Sequence, residues 1–132
     1  MTLNDLVGFQ LVDLNEDIMT VKKDGKTYTL EFECDSGDYC GFAEVTNTLL
    51  YDKSDTKRNP VITKIKRECG SDKDDDYWDD FYSDSVSVTF FGESAPIANI
   101  EATAGSGSGW HYGAAVTVVC SPLQLEEEIV SW

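Results

Sequence analysis

An Asp-Gly pair, Asp24-Gly25, separates two runs of alternating apolar and polar residues, and this combination predicts a β-hairpin. Both central positions of a tight hairpin turn need positive φ, which an Asp-Gly pair adopts readily. The register that follows pairs Lys23 with Lys26, Val21 with Tyr28 and Met19 with Leu30. The apolar pairs then fall on one face, so turn chemistry and alternation agree on an antiparallel β structure.

Alternation predicts further strands elsewhere, near residues 9–14, 41–45, 61–69, 85–90, 97–102 and 110–120. Residues 121–124 resemble a helix start, and Leu125, Ile129 and Trp132 follow at helical spacing. We therefore predict a mainly β (α+β) fold that is a single domain over residues 1–132. An antiparallel sheet of six to eight strands forms a sandwich or a partly open barrel, and a short helix ends the chain.

The charge of the chain is strongly acidic and unevenly distributed. Its 25 acidic and 10 basic residues give a net charge of −15. Residues 74–132 hold 11 acidic residues and no lysine or arginine, whereas residues 1–73 carry a net charge of only −4. Such a surface repels phosphate backbones and anionic lipid, so we expect no direct nucleic-acid binding and no membrane binding. Solubility alone is the simpler explanation of the charge.

The N-terminal residues lack the basic and apolar regions of an export signal, which favours a cytoplasmic location. In a reducing compartment the four cysteines, at positions 34, 40, 69 and 120, are expected to be free thiols.

The acidic residues are densest between positions 70 and 85, where seven of sixteen residues are aspartate. The candidate partner-binding acids are Asp72, Asp74, Asp75, Asp76, Asp79 and Asp80. A solvated loop, partly neutralised by the bases of residues 53–67, is one interpretation. Mimicry of a phosphate backbone is another, because alternate residues of an extended chain lie roughly 6.6 Å apart on one face.

A calcium site is a third interpretation of these acids. Asp72, Asp74 and Asp76 match the first three ligand positions of an EF-hand loop. Tyr77 occupies the position that needs glycine, and Ser83 replaces the bidentate glutamate, so the pattern does not predict a metal site.

Two large aromatic residues, Trp110 and Tyr112, flank the single histidine, His111. Exposed aromatics of this kind anchor protein partners, although packing in the core is the commoner role. One histidine and widely spaced cysteines exclude the usual zinc patterns, and the glycine-serine run of residues 105–109 fits no nucleotide-binding motif. The sequence therefore predicts no catalytic residues, no cofactor and no enzymatic activity.

Two strand motifs carry a resemblance to a known family. Phe91-Gly92-Glu93-Ser94 ends the first (residues 88–94), and Gly109-Trp110 starts the second (residues 109–118). Residues 6–8, 30–34 and Cys40 are similar as well. The chain resembles an uncharacterised small-protein family, a domain of unknown function found mainly in bacteriophages. It departs from the family near residues 72–80 and 95–108. The resemblance implies phage origin and a β-rich domain.

The leading hypothesis is a non-enzymatic phage protein that binds a host or phage protein in the host cytoplasm. It acts through its acidic surface, with Trp110 and Tyr112 as further contacts. One alternative is a structural or decoration component of the virion, and a second is a small-ligand or Ca²⁺ binder.

Overall fold

The computed structural model of the chain describes residues 1–35, 41–51, 60–76, 79–93, 95–106 and 114–131. These residues form nine strands and two 3₁₀ turns, η1 and η2. In chain order the elements are η1 (Leu3–Leu6), β1 (Gln10–Asn15), β2 (Ile18–Lys23), β3 (Lys26–Asp35), β4 (Gly41–Leu49), β5 (Lys64–Asp76), β6 (Asp79–Phe91), β7 (Pro96–Ser106), β8 (Ala115–Cys120), η2 (Ser121–Leu123) and β9 (Leu125–Ser131).

The strands form two antiparallel sheets that pack face to face. Sheet A has the strand order β1-β2-β3-β8-β9, and sheet B has the order β4-β7-β6-β5. The mainly β, antiparallel prediction is confirmed, but six to eight strands was too few. The additional strand is β9. β5 and β6 are also longer than predicted, because they continue into the acidic residues where the sequence predicts a loop.

The first hairpin has the predicted register. Lys23 lies opposite Lys26, and the apolar pairs Val21–Tyr28 and Met19–Leu30 follow. Asp24 and Gly25 both have positive φ, at 53° and 78°. Met19, Val21 and Leu30 are fully buried, so the face that alternation identified is the one that packs on the core.

The core lies between the two sheets, and η1 contributes residues to it. Inward-facing Val88, Phe90 and Ile100 of sheet B and Val116 and Val118 of sheet A are all fully buried. The short turn η1 buries both of its leucines, Leu3 and Leu6, as completely as the strands bury theirs. No helix among the described residues is long and apolar enough to cross a membrane.

The predicted C-terminal helix is wrong: residues after η2 form strand β9, which pairs with β8. The apolar spacing of Leu125 and Ile129 fits a helix at i, i+4, but it fits a strand equally well at i, i+2, i+4. The intervening inward position is Glu127, which pairs with Arg67. A bulge at Ile129 then turns Val130 inward, and both residues are 8% exposed.

The backbone at Gln124 shows why no helix continues from η2. This residue has φ 52° and ψ 37°, a left-handed conformation that stops helical hydrogen bonding and redirects the chain into β9. Left-handed backbone costs a non-glycine residue about 1–2 kcal/mol.

We therefore expect Gln124→Gly to raise the free energy of unfolding by about 0.5–1 kcal/mol, measured by urea denaturation. Gln124→Ala, the control, keeps the left-handed strain and is expected to change stability by less than about 0.5 kcal/mol. Glycine is destabilising inside a helix. A loss of stability in Gln124→Gly would therefore indicate that the helix continues through residue 124, and would contradict the left-handed turn into β9.

Candidate functional site

The acidic residues lie on a part of the β5–β6 hairpin that extends beyond the rest of sheet B. β5 and β6 pair continuously from Lys64–Phe91 to Asp76–Asp79. The neighbouring strand β7 pairs with β6 only as far as Tyr82–Ser106. Residues 74–76 and 79–81 therefore have no other described strand beside them, and we call these six residues the acidic ribbon.

The structure brings together most of the predicted acids. Five of the six ribbon residues are aspartates, at positions 74, 75, 76, 79 and 80. The remaining candidate, Asp72, lies two residues before the ribbon and opposite Ser83. Trp110 and Tyr112 lie outside the described residues, as does His111. The last described residue before them, Ser106, pairs with Tyr82 of β6.

Aspartates face aspartates across the ribbon. Asp75 lies opposite Asp80, and Asp76 lies opposite Asp79. Like charges directly opposite one another destabilise an antiparallel ladder. The opposed aspartates therefore weaken the hairpin. Their presence is not explained by a contribution to the stability of the fold.

The strand conformation also bears on the calcium interpretation. An EF-hand loop curls around its ion, and its first three ligands come from one turn of that loop. Here Asp72, Asp74 and Asp76 lie in the extended strand β5, which is not the backbone that such a loop needs. Among the residues whose side chains the structure describes, which leave out residues 72–82, no group of histidine, cysteine and carboxylate side chains is arranged to hold a metal ion.

Three bases on β5 are engaged well away from the ribbon. The Nζ of Lys64 lies 5.6 Å from the centroid of the Phe91 ring. Lys66 pairs with Glu68 at 3.1 Å, and Arg67 pairs with Glu127 at 2.8 Å. At about 3.3 Å per residue, seven residues separate Arg67 from Asp74 by about 23 Å of strand. These three bases therefore do not neutralise the ribbon, and the other predicted bases, Lys53, Lys57 and Arg58, lie outside the described residues. Lys73, opposite Tyr82, directly precedes it.

Sequence reasoning missed the ion pair that joins the two sheets beside this hairpin. The Nη2 of Arg67 donates to both carboxylate oxygens of Glu127, at 2.8 and 2.9 Å. The same carboxylate accepts a hydrogen bond from the backbone N–H of Leu3 at 2.8 Å. Glu127 therefore ties β5, β9 and η1 together. Strand parity offered a signal, because Arg67 lies on the same side of β5 as Ile65 and Cys69.

Three of the cysteines are free thiols, as predicted: Cys34, Cys69 and Cys120. Cys40 lies outside the described residues. Burial raises the pKa of the Cys34 thiol above that of a free cysteine, and the carboxylates of Asp17 and Glu44 raise it further. A raised pKa lowers the thiolate fraction near neutral pH, which makes Cys34 a poor nucleophile.

We expect Cys34 to react with iodoacetamide more slowly at pH 8 than an unperturbed thiol, with the rate rising as pH increases. Glu44→Gln removes one of the charges that disfavour the thiolate and should raise the rate about twofold or more. Glu93→Gln, another exposed acid, is the control and should leave the rate unchanged. Mass spectrometry of the modified peptide follows the reaction, and equal rates in all three proteins would contradict the electrostatic explanation.

Comparison of the chain with protein-family models, curated proteins and solved structures gives no match. The resemblance to a phage protein family stays a prediction from the sequence motifs.

Proposed function

We propose that this chain is a non-enzymatic, phage-encoded protein-binding module whose acidic ribbon docks on a basic surface of a host or phage protein. The observation that carries the proposal is the composition of the ribbon: five of its six residues are aspartate, and no other described strand pairs with them. The phage origin is taken from the resemblance of residues 88–94 and 109–118.

The electrostatics of the ribbon support a charged partner. Opposed aspartates repel one another in the free protein, and a basic partner relieves that repulsion when it binds. A localised field of one sign also accelerates encounter with a partner of opposite charge. Both effects predict binding that weakens as salt is added, because the Debye length falls below about 10 Å above 0.1 M ionic strength.

The extended backbone narrows the kind of basic surface that fits. Asp72, Asp74 and Asp76 alternate along β5, so their Cα atoms are about 6.6 Å apart, close to two phosphate steps of a DNA strand. A protein groove that binds a phosphate backbone carries positive charges spaced to match the phosphates, and therefore also to match these aspartates. A nucleic-acid-binding protein is therefore a partner of the right chemistry.

The test compares two variants with equal charge. The ribbon variant changes Asp74, Asp75, Asp76, Asp79 and Asp80 to asparagine. The control variant changes five glutamates elsewhere to glutamine, at the exposed positions 16, 31, 33, 93 and 126. Each removes five of the net 15 negative charges, so general charge effects are matched.

Each protein is immobilised and exposed to lysate from phage-infected cells below about 0.1 M ionic strength. We expect the unmodified protein and the control variant to capture the same partner, which elutes as salt is raised. The ribbon variant should recover it at least about tenfold less well. Equal recovery by the ribbon variant, or equal loss in both variants, would contradict a specific role for the ribbon.

A further inference from the structure

One lateral side of the sandwich has unpaired strand edges in both sheets. β5 ends sheet B and β9 ends sheet A, and no described strand pairs with their outer edges. They lie on the same side of the molecule, because Arg67 of β5 reaches Glu127 of β9. Backbone N–H and C=O groups along two such edges are available to a further strand.

The opposite side, between β1 and β4, is closed by hydrogen bonds. The Nδ2 of Asn47 donates to the carbonyl oxygens of Asn15 and Glu16, each at 2.8 Å. The Tyr51 hydroxyl donates to the carbonyl oxygen of Leu11 at 3.3 Å. The free edge of β1 is also covered, because Gln10 bridges to Val61 and the flanking backbone groups bond to residues 60–62. Of the two sides of the sandwich, the β5–β9 side is therefore the one whose described strand edges are not covered.

Next to the Arg67–Glu127 pair, an open groove of about 330 Å³ lies between β5 and β9. Residues 69–71 of β5 line one side of it, and Glu128 and Ser131 of β9 line the other. Its floor includes Val86, Ile129 and Val130, which retain 3%, 8% and 8% exposure. On the β5 side the lining residues are the small Cys69, Gly70 and Ser71. Among the described side chains, the long one that crosses between β5 and β9 is Arg67, two residues before Cys69.

The same stretch of β5 lacks the usual protection of an edge strand. Charged side chains on an edge discourage pairing with other chains. Lys64, Lys66, Arg67 and Glu68 supply such charges, whereas residues 69–71 are uncharged. The charged residues among those described around the groove are Asp84 and Glu128, both acidic. The groove therefore combines free strand edges, an apolar floor and negative charge.

We propose that this groove binds an extended, basic segment of the partner protein by strand addition between β5 and β9. Neighbouring strands lie about 4.8 Å apart and packed sheets about 10 Å apart, so one strand fits between the two edges. Apolar side chains of the segment face the floor, and its alternate lysines or arginines face Asp84, Glu128 and, further along β5, the acidic ribbon. A second copy of this chain brings the same acids and repels them.

This inference rests on the proposed function for the charge of the partner, but it adds a site and a binding mode. The probe is a peptide of about nine residues, roughly 30 Å when extended, that alternates lysine and valine. The matched probe has the same sequence with alternate backbone amides N-methylated. It keeps every charge and loses the N–H donors that strand addition uses.

We expect the unmodified peptide to bind and to slow amide exchange at residues 69–71 and 129–131. N-methylation should weaken binding about 20-fold, the equivalent of two backbone hydrogen bonds. Ser71→Arg places a long side chain across the groove near Asp84, as Arg67 does at Glu127, and should abolish binding. Thr29→Arg, which adds the same charge at an exposed position of β3 outside the groove, is the control and should bind normally. Circular dichroism of both variants verifies that each is folded.

The outcomes separate this inference from the proposed function. Equal binding of both peptides, with no exchange protection at residues 69–71, overturns strand addition even if the ribbon variant loses its captured partner. Protection at the groove that survives in the ribbon variant supports strand addition and removes the ribbon from the mechanism. Protection that appears without peptide and scales with protein concentration indicates a second copy and overturns the proposal. So does the absence of binding up to about 1 mM peptide.

Discussion

Replacing Glu127 with alanine is expected to lower the free energy of unfolding by about 3 kcal/mol. The Glu127 and Arg67 side chains are 22% and 28% exposed, so water replaces their mutual contacts only in part. The substitution removes the hydrogen bonds from Arg67 and from the Leu3 N–H. It leaves a mostly buried guanidinium whose Nε already lacks a hydrogen-bond partner. Urea denaturation measures the change.

The neighbouring glutamate provides the control. Glu126 precedes Glu127 on β9 but is exposed, and Glu126→Ala is expected to change stability by less than about 0.5 kcal/mol. Joint replacement of Arg67 by methionine and Glu127 by leucine should restore more than half of the loss, because it leaves no charge unpaired. Equal effects of the two alanine variants would show that the ion pair does not join the sheets.

Truncating Phe90 is expected to have the largest effect of any single change considered. Phe90 is fully buried in the core, and Phe→Ala at such a site costs about 3–5 kcal/mol, since apolar contacts are lost and a cavity remains. Its neighbour Phe91 is half-buried on the other face of β6, where Lys64 lies over its ring. Phe91→Ala should cost only about 1 kcal/mol or less.

The two adjacent phenylalanines therefore test the register of β6. A slip of one residue would exchange the faces of the strand and reverse the order of the two effects. Thermal denaturation of both variants, at equal protein concentration, measures the difference. Similar losses at the two positions would contradict the pairing of β6 with β5 and β7.

The first hairpin could be predicted in full because its information is local. The Asp24-Gly25 turn sets the register, and alternation in the flanking strands selects the buried face. The same reasoning located the strands around Val88, Ile100 and Val116.

The C-terminal segment could not be predicted in this way because its apolar spacing suits two structures. Leu125 and Ile129 match a helix, and an inward acid at Glu127 departs from the usual apolar face of a strand. The contact that makes that acid acceptable, with Arg67, comes from a residue sixty positions away. Strand parity places Arg67 on the same side of β5 as Ile65, but no local pattern identifies Glu127 as its partner.

For the candidate site too, the sequence predicts the composition but not the structure. The density of aspartate at residues 72–80 is visible in the sequence, which predicts a loop there. Turn and propensity signals disfavour strand there, since aspartate is depleted in strands. Pairing of β5 with β6 continues through these residues nevertheless, which converts a cluster of acids into an ordered ribbon with defined opposite partners.

By itself the sequence determined the β class, the first hairpin and the sign and location of the charge, because periodicity, turn chemistry and composition act between near neighbours. Only the tertiary structure decided that β9 is a strand, that Glu127 holds the sheets together and that β5 and β9 leave a groove between free edges. These three features depend on which strands that are distant in sequence become neighbours. The packing of the two sheets determines this, and no local pattern does.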